Sequence, residues 1–495
     1  MYNLNFAYDS VIINIKLTNG GTEQIYSTPG FESGDYVNWF LQSDMHHSEL
    51  LFCLTKNQAE EKYNVKFPID IVEGDYSIFS KDFIRNTRTF RSTDESFFIK
   101  LNEVNVQRNT VDYFLETGQN FIYPYAVVNE ISFQKDLPHP PQTVLDAVKR
   151  GQCKIVIFYG AEGHTFTLGK LSKIIKFTKE LKVQVHFYCS NLILGEKYKE
   201  WCKQFPVHTT PLLNIPKYPA FEHDPWFIPL DRTDYTTVYH YGLSSIQKKQ
   251  DHITTKNLIN PGGIKKFLVF NRRPRLYRVL IHAAIKSSQT LDHNSYTGLE
   301  KFTDLKDQLN FFKDMCSRIP QGGRMYEYLL NNVDTYTQDG YELDADLEEN
   351  QAFSFPITFY FNTLISIVTE TETHKDCVFF SEKIFKPIIA LHPFIVISSQ
   401  NFLKELKHLG YRTFSDYWDE SYDEIEDDVA RFNAVLKLIE DLNQKPLKDL
   451  KTMYFNMMPI LEHNHRVFFN NNRLNITLNS LCNFNNVSSN SNNLI

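Results

Sequence analysis

The sequence predicts an α/β protein of two domains, each a parallel sheet flanked by helices, facing a central cleft. Three observations predict it. The chain has 495 residues, beyond the roughly 250–300 at which a single hydrophobic core stops growing. Two separate stretches alternate short apolar runs with helical spacing, the pattern of parallel α/β units. A segment rich in Pro, Thr, Asp and His, ending in the hinge-like Pro261-Gly-Gly263, separates them.

Val11-Ile-Ile-Asn-Ile-Lys-Leu17 reads as a strand within residues 7–17. From there to about residue 140 short apolar runs mix with Gly, Asn and Asp, which predicts a strand-rich region closed by the stiff Pro138-His-Pro-Pro-Gln142. Val144–Arg150 suits a short helix. Lys154-Ile-Val-Ile-Phe-Tyr159 is a continuous apolar run, as a strand buried on both faces requires, and it ends in Gly160-Ala-Glu-Gly163. Leu168–Leu181 has helical spacing and Val183–Cys189 is a second strand, completing a β-loop-α-β unit. Lys248–Gly263 is the expected linker.

The second series opens with the strand Lys266-Phe-Leu-Val-Phe270, the loop Asn271-Arg-Arg-Pro-Arg275 and the helix Tyr277–Lys286. After a polar, helix-tending middle come a strand at Leu364–Val368, a helix at Glu382–Leu391, a strand at Pro393–Ser398 and a helix at Phe402–Leu409. Val429–Leu442 and Leu447–Leu461 are helical in spacing. The expected domains are an α/β domain over 1–255 and a second α/β domain over 256–469. The tail 470–495, dominated by Asn and Ser, is expected to be disordered.

Composition narrows the function. A net charge of −7 argues against broad coating of nucleic acid, though it leaves room for a local basic cleft. The 40 Phe and 27 Tyr serve large cores or stacking surfaces equally well. Seven scattered cysteines without a CxxC pair point to free thiols in a reducing compartment. The N-terminus lacks the pattern of a signal peptide and no run approaches the roughly 20 apolar residues of a membrane span, so a cytoplasmic protein is expected. Asn475-Ile-Thr and Asn486-Val-Ser match glycosylation sequons and are read as accidental.

Three motifs fall at carboxyl ends of predicted strands in the second half, where open parallel sheets bind ligands. Arg272, Arg273 and Arg275 follow a buried strand at the start of a helix, an arrangement suited to phosphate and competing with a plain solvated turn. In Phe379-Phe-Ser-Glu-Lys383, Ser381 caps a helix whose first turn holds Glu382 and Lys383. A carboxylate there can accept both hydroxyls of a ribose, and a lysine can meet a diphosphate; alternatively the helix dipole alone favours the Glu. Ile367-Val-Thr-Glu-Thr-Glu372 offers Glu370 and Glu372 to a donor or an acceptor, or carries a loop carboxylate with no role.

A strand ending in an acidic residue, a short loop, an aromatic-Ser-Glu-Lys helix start and an apolar strand beginning near a proline together resemble the donor-binding signature of the alpha-1,3-fucosyltransferase family. The segment Phe379–Phe414, ending Leu409-Gly-Tyr-Arg-Thr-Phe414, is also similar to glycosyltransferase-like proteins common in viruses and bacteria. The resemblance spans 265–440 and is strongest over 364–414. Around Glu370 the chain departs from the family, whose acidic-Asn-Ser follow-on is Thr-Glu-Thr here, so the resemblance does not extend to the sugar. It implies a GT-B fold with two Rossmann-like domains, a nucleotide-diphosphate sugar as co-substrate, no obligatory metal or other cofactor, and inversion at the anomeric carbon. On that basis 1–255 binds a glycan or glycoconjugate acceptor and 256–469 the donor. Glu382 holds the ribose; Lys383 and an arginine of 272–275 hold the phosphates.

An inverting transferase needs a general base near the acceptor hydroxyl. In Ala161-Glu-Gly-His-Thr165, Glu162 is the first candidate and His164 the second, against an ordinary β–α loop. Asp416-Tyr-Trp-Asp-Glu-Ser-Tyr-Asp423 either lines a sugar site or packs Trp418. Asp344-Ala-Asp346 lies in a polar run rather than after a strand and is discounted as a metal motif. His46-His47, His463 and His465 read as surface or core histidines. The competing functions are a transferase acting on modified bases in DNA and a non-catalytic nucleotide- or carbohydrate-binding protein of the same fold.

Overall fold

The computed structural model describes residues 2–8, 11–17, 22–26, 75–79, 104–127, 137, 139–159, 165–217, 264–341, 357–469 and 478–484. The chain divides into two compact units. Met1–Glu162, Phe166–Glu222 and Ile476–Ile495 form the first; Gly163–Thr165 and His223–Asn475 form the second. Both are α/β with parallel sheets. The expected boundary at 255/256 and the linker at 248–263 lie outside the described residues.

The first unit contains β1 (Tyr2–Tyr8), β2 (Val11–Leu17), β3 (Thr22–Tyr26), β4 (Asp75–Phe79), β5 (Val104–Thr110), β6 (Phe121–Val127), β7 (Cys153–Tyr159), β8 (Val185–Tyr188) and β9 (Leu213–Asn214). Its main sheet is parallel throughout, in the order β5-β1-β6-β7-β8-β9. A small second sheet, β3-β2-β4, pairs β2 antiparallel with β3 and parallel with β4.

β7 is buried along its whole length, which explains its unbroken apolar sequence: a parallel strand covered on both faces has no polar side. Ile155, Ile157, Val185 and Phe187 share one face with Tyr123 and Tyr125. There they meet the apolar stripes of the helices Gln142–Lys149, Leu168–Leu181 and Leu194–Gln204. Thr167 caps the second of these by accepting from the Lys170 amide.

The opposite face carries Phe6, Ile122, Val156, Phe158 and Tyr188, all buried, together with Lys154. The chain's tail returns to this face. Residues 478–482 are helical, with Leu478 and Leu481 fully buried. Lys154 Nζ donates to the carbonyls of Ser480 (2.7 Å) and Leu481 (3.3 Å), and the Tyr188 hydroxyl meets Ser480 Oγ at 2.8 Å. An Asn/Ser-rich composition suggests disorder over the whole tail. Two leucines three residues apart form one small apolar face, and they order this piece of it.

The second unit holds β10 (Lys265–Phe270), β11 (Ser295–Gly298), β12 (Thr363–Thr369) and β13 (Phe394–Ile397) in one parallel sheet, ordered β11-β10-β12-β13. β11 is the strand its sequence hides: Ser-Tyr-Thr-Gly has no apolar alternation, and pairing with β10 makes it a strand. The helical stretch expected over Leu447–Leu461 is two helices, Leu447–Asn456 and Met458–Phe469. Pro459 has no amide hydrogen to continue the first helix, but fits the opening turn of the second. Among the described residues no helix is long and apolar enough to cross a membrane.

Candidate functional site

In the second unit the chain leaves β10 for β11 on one side, while β12 and β13 add on the other. The order therefore reverses between β10 and β12. In open parallel sheets ligands bind outside the carboxyl ends of the strands at such a switch point. The segments that emerge there are Asn271–Arg275 after β10 and Glu370–Glu372 after β12, two of the three motifs singled out in the sequence.

Hydrogen bonds tie these loops together. Arg278, buried in the first turn of the helix Leu276–Lys286, donates to the Arg273 carbonyl (3.2 Å) and to Thr371 Oγ1 (3.3 Å). Arg275 donates to the Thr371 carbonyl at 3.4 Å. Arg272 pairs with Glu300, whose amide donates to the Arg272 carbonyl at 2.8 Å. Arg273 alone of the loop's three arginines has an exposed side chain with no partner among the described residues. The helix behind it has no side-chain cap, so the positive end of its dipole is open.

The continued β10–β12 register sets Asn271 beside Thr369. Both are buried. Neither the Asn271 amide nor the Thr369 hydroxyl has a hydrogen-bond partner among the described residues. Buried polar groups left this way cost about 1–3 kcal/mol each. They cluster where a switch-point ligand would sit.

The third motif joins the same network. Glu370 is 1% exposed, and its amide donates to the Ile397 carbonyl. Its Oε1 accepts from the Ser381 amide (3.4 Å) and its Oε2 from the Ser381 hydroxyl (2.5 Å). Ser381 Oγ in turn accepts from the Lys383 amide (3.3 Å), capping the helix Glu382–Ile389, and from Lys383 Nζ (3.2 Å). Lys383 is half-buried. Glu382 opens the helix; its side chain lies outside the described part of the structure. Glu372 is half-buried and its carbonyl accepts from Ser398 Oγ at 3.1 Å.

A second buried arginine steadies the loop after β12. Arg431 Nη2 donates to the Thr373 carbonyl and to Asp428, Nε to the Ser398 carbonyl, and Nη1 to the carbonyls of Ile425 and Glu426. Sequence reasoning missed Asn271, Arg278 and Arg431. The signal for the arginines was present: Arg278 shares a helical stripe with Ile281 and Ile285, and Arg431 with Val435 and Ile439. A cation on an apolar stripe needs buried acceptors.

The other candidates fall elsewhere. Glu162 and His164 lie outside the described residues, as do Asp344, Asp346, His46 and His47. The segment Asp416–Asp423 is structural. Trp418 packs on Phe414 with ring centroids 5.1 Å apart. Asp423 accepts from the amides of Leu403 and Lys404 at the start of the helix Phe402–His408, and burial pushes its carboxyl up to about 6. His465 is a core residue whose ring burial drives down to about 4; His463 binds the Gly410 carbonyl.

No protein-family model and no curated protein sequence matches the chain. Among solved structures, an alpha,alpha-trehalose 6-phosphate synthase from Burkholderia multivorans is similar with a TM-score of 0.35 and 9% identity. The match covers 90% of this chain and 80% of that one. A likeness this weak supports no functional argument.

Proposed function

We propose that the chain is a glycosyltransferase whose second unit holds a nucleoside-diphosphate sugar at the carboxyl ends of β10 and β12. One observation carries this reading: hydrogen bonds link Arg273 through Arg278 to Thr371, and Glu370, the residue before Thr371, through Ser381 to Lys383. Along these segments lie an exposed guanidinium, an uncapped helix start and a half-buried ammonium. Those are donors for a diphosphate. The alpha-1,3-fucosyltransferase-like pattern over 364–414 supports the same donor class and a GT-B arrangement.

In this reading the acceptor oxygen attacks the anomeric carbon as the bond to the diphosphate oxygen breaks, inverting that carbon. Glu162 takes the acceptor proton, with His164 as the alternative. Arg273 and Lys383 offset the charge on the departing nucleoside diphosphate and take the place a metal ion fills in other transferases. Activity is therefore expected to survive EDTA. If manganese instead restores activity that EDTA abolishes, the metal-free reading fails. Replacing Glu162 with Gln should preserve donor binding and slow turnover by about 10²–10⁴-fold.

The direct test is a thermal-shift screen with GDP, UDP, ADP and CMP, followed by donor hydrolysis. A bound nucleotide at 100 times its dissociation constant stabilises by about 2.7 kcal/mol. No shift with any of the four rejects the proposal. A shift without hydrolysis or transfer leaves a binding protein. Retention of modified DNA in a gel shift redirects the acceptor from glycans to nucleic acid.

A further inference from the structure

The geometry points to Glu370 as a positioning residue, which aims the Lys383 ammonium without touching the donor itself. The inference rests on the nucleotide-sugar reading above and concerns how that site is preorganised.

Glu370 is too deeply buried to offer its carboxylate to a ligand, and both its oxygens already serve Ser381. Ser381, also 1% exposed, has one hydroxyl proton and two lone pairs. The proton goes to Glu370 Oε2 at 2.5 Å. That turns the lone pairs toward the Lys383 amide and the Lys383 Nζ, at 3.3 and 3.2 Å. The direction of the Ser381 hydroxyl therefore depends on a pure acceptor at position 370. Reversing it would remove the helix cap and the anchor of the ammonium together. Glu370 is itself held on both sides: its amide is bonded to the Ile397 carbonyl, and Thr371 is gripped by Arg275 and Arg278. Rigidity passes from the sheet, through a carboxylate and a hydroxyl, to a cation at the ligand face. Support of this kind is what holds a binding group within tenths of an ångström of its working place.

A glutamine at 370 can still accept at one atom, but its NH₂ then faces the Ser381 N–H, donor against donor. The experiment is calorimetric titration of the full chain with whichever of UDP, GDP, ADP and CMP binds most tightly. Glu370→Gln and Ser381→Ala are each expected to weaken affinity about tenfold, and Ser381→Thr, which keeps the hydroxyl, to restore most of it. In a Lys383→Ala background, Glu370→Gln should have no further effect on affinity, since nothing remains to be aimed. A merely structural role would lower the melting temperature equally in both backgrounds and leave affinity alone. Folded Glu370→Gln and Ser381→Ala proteins that bind as tightly as the parent would overturn the inference while leaving the donor site standing. A parent chain that binds none of the four nucleotides defeats the donor reading, and the role of Glu370 falls with it. If Glu370→Gln does not fold, the Ser381→Ala and Ser381→Thr pair carries the same test.

Discussion

Lys154 in the first unit and Lys266 in the second hold matching places. Each is the second residue of a buried parallel strand, β7 or β10, and each is itself buried. Each gives its ammonium to two carbonyls near the end of a helix, those of Ser480 and Leu481 for Lys154 and of Asn443 and Lys445 for Lys266. The cations at the carboxyl ends of β10 and β12 are different. Arg273 is exposed and Lys383 is half-buried. The comparison separates two uses of positive charge on one kind of sheet. At the amino ends, lysine is committed to the chain's own carbonyls and fastens a C-terminal segment down. At the carboxyl ends, buried arginines hold the loops, and the proposed ligand cations are the less buried Arg273 and Lys383.

Three substitutions test that division, in descending order of expected effect. Arg431→Met removes a buried guanidinium that serves carbonyls from three segments, and should destabilise the second unit by roughly 3–5 kcal/mol in urea denaturation. A loss under about 1 kcal/mol would show that the loop after β12 does not depend on this arginine. Leu481→Ala strips cover from the second face of the first unit's sheet. It should cost at least about 2 kcal/mol with nucleotide affinity unchanged. Arg273→Ala should do the reverse, weakening nucleoside-diphosphate binding by about tenfold or more and leaving the melting temperature where it was.

A fourth test concerns pH. Burial lowers the Lys154 ammonium from 10.5 to about 8. Between these values the unfolded chain holds more protons than the folded one. This group therefore makes stability rise with pH across about 8 to 10.5 and contributes no slope below that window. The neighbouring Cys482 thiol and Tyr188 phenol, both pushed up by burial, act in the opposite sense, and His186, driven down to about 3, stays neutral throughout. The measurable quantity is thus a difference: from pH 7.5 to 10 the parent should gain stability relative to Lys154→Met. An equal pH response in both would remove Lys154 as a buried charge.

The core was the part most legible in the sequence. β7, β10, β12 and the helix Leu168–Leu181 announce themselves because burial on both faces, or on one helical stripe, restricts residue type at every position. β11 did not, since a short strand at a sheet edge is stabilised by pairing rather than by its side chains. The site was half legible. Arginines after a strand and Ser381 before a helix are local signals, and hydrogen bonds tie their segments to the loop after β12. The sequence leaves Glu370 open as a ligand contact or a loop carboxylate; its burial and its bonds to Ser381 depend on how the loop after β12 folds back, a nonlocal fact. The partnership of Arg278 with Thr371 spans 93 residues and leaves no local pattern.

On the proposed function, phosphate binds at the carboxyl ends of β10 and β12. Hydrogen exchange of the full chain, with and without a saturating nucleoside diphosphate, tests it most directly. Exchange is expected to slow at the amides of residues 271–273 and 275–278, where the open helix start lies, and of residues 381–386 around the Ser381 cap, with the amides of β7 and β8 unchanged. Protection confined to the first unit, or none at 271–278 despite measurable binding, would contradict it.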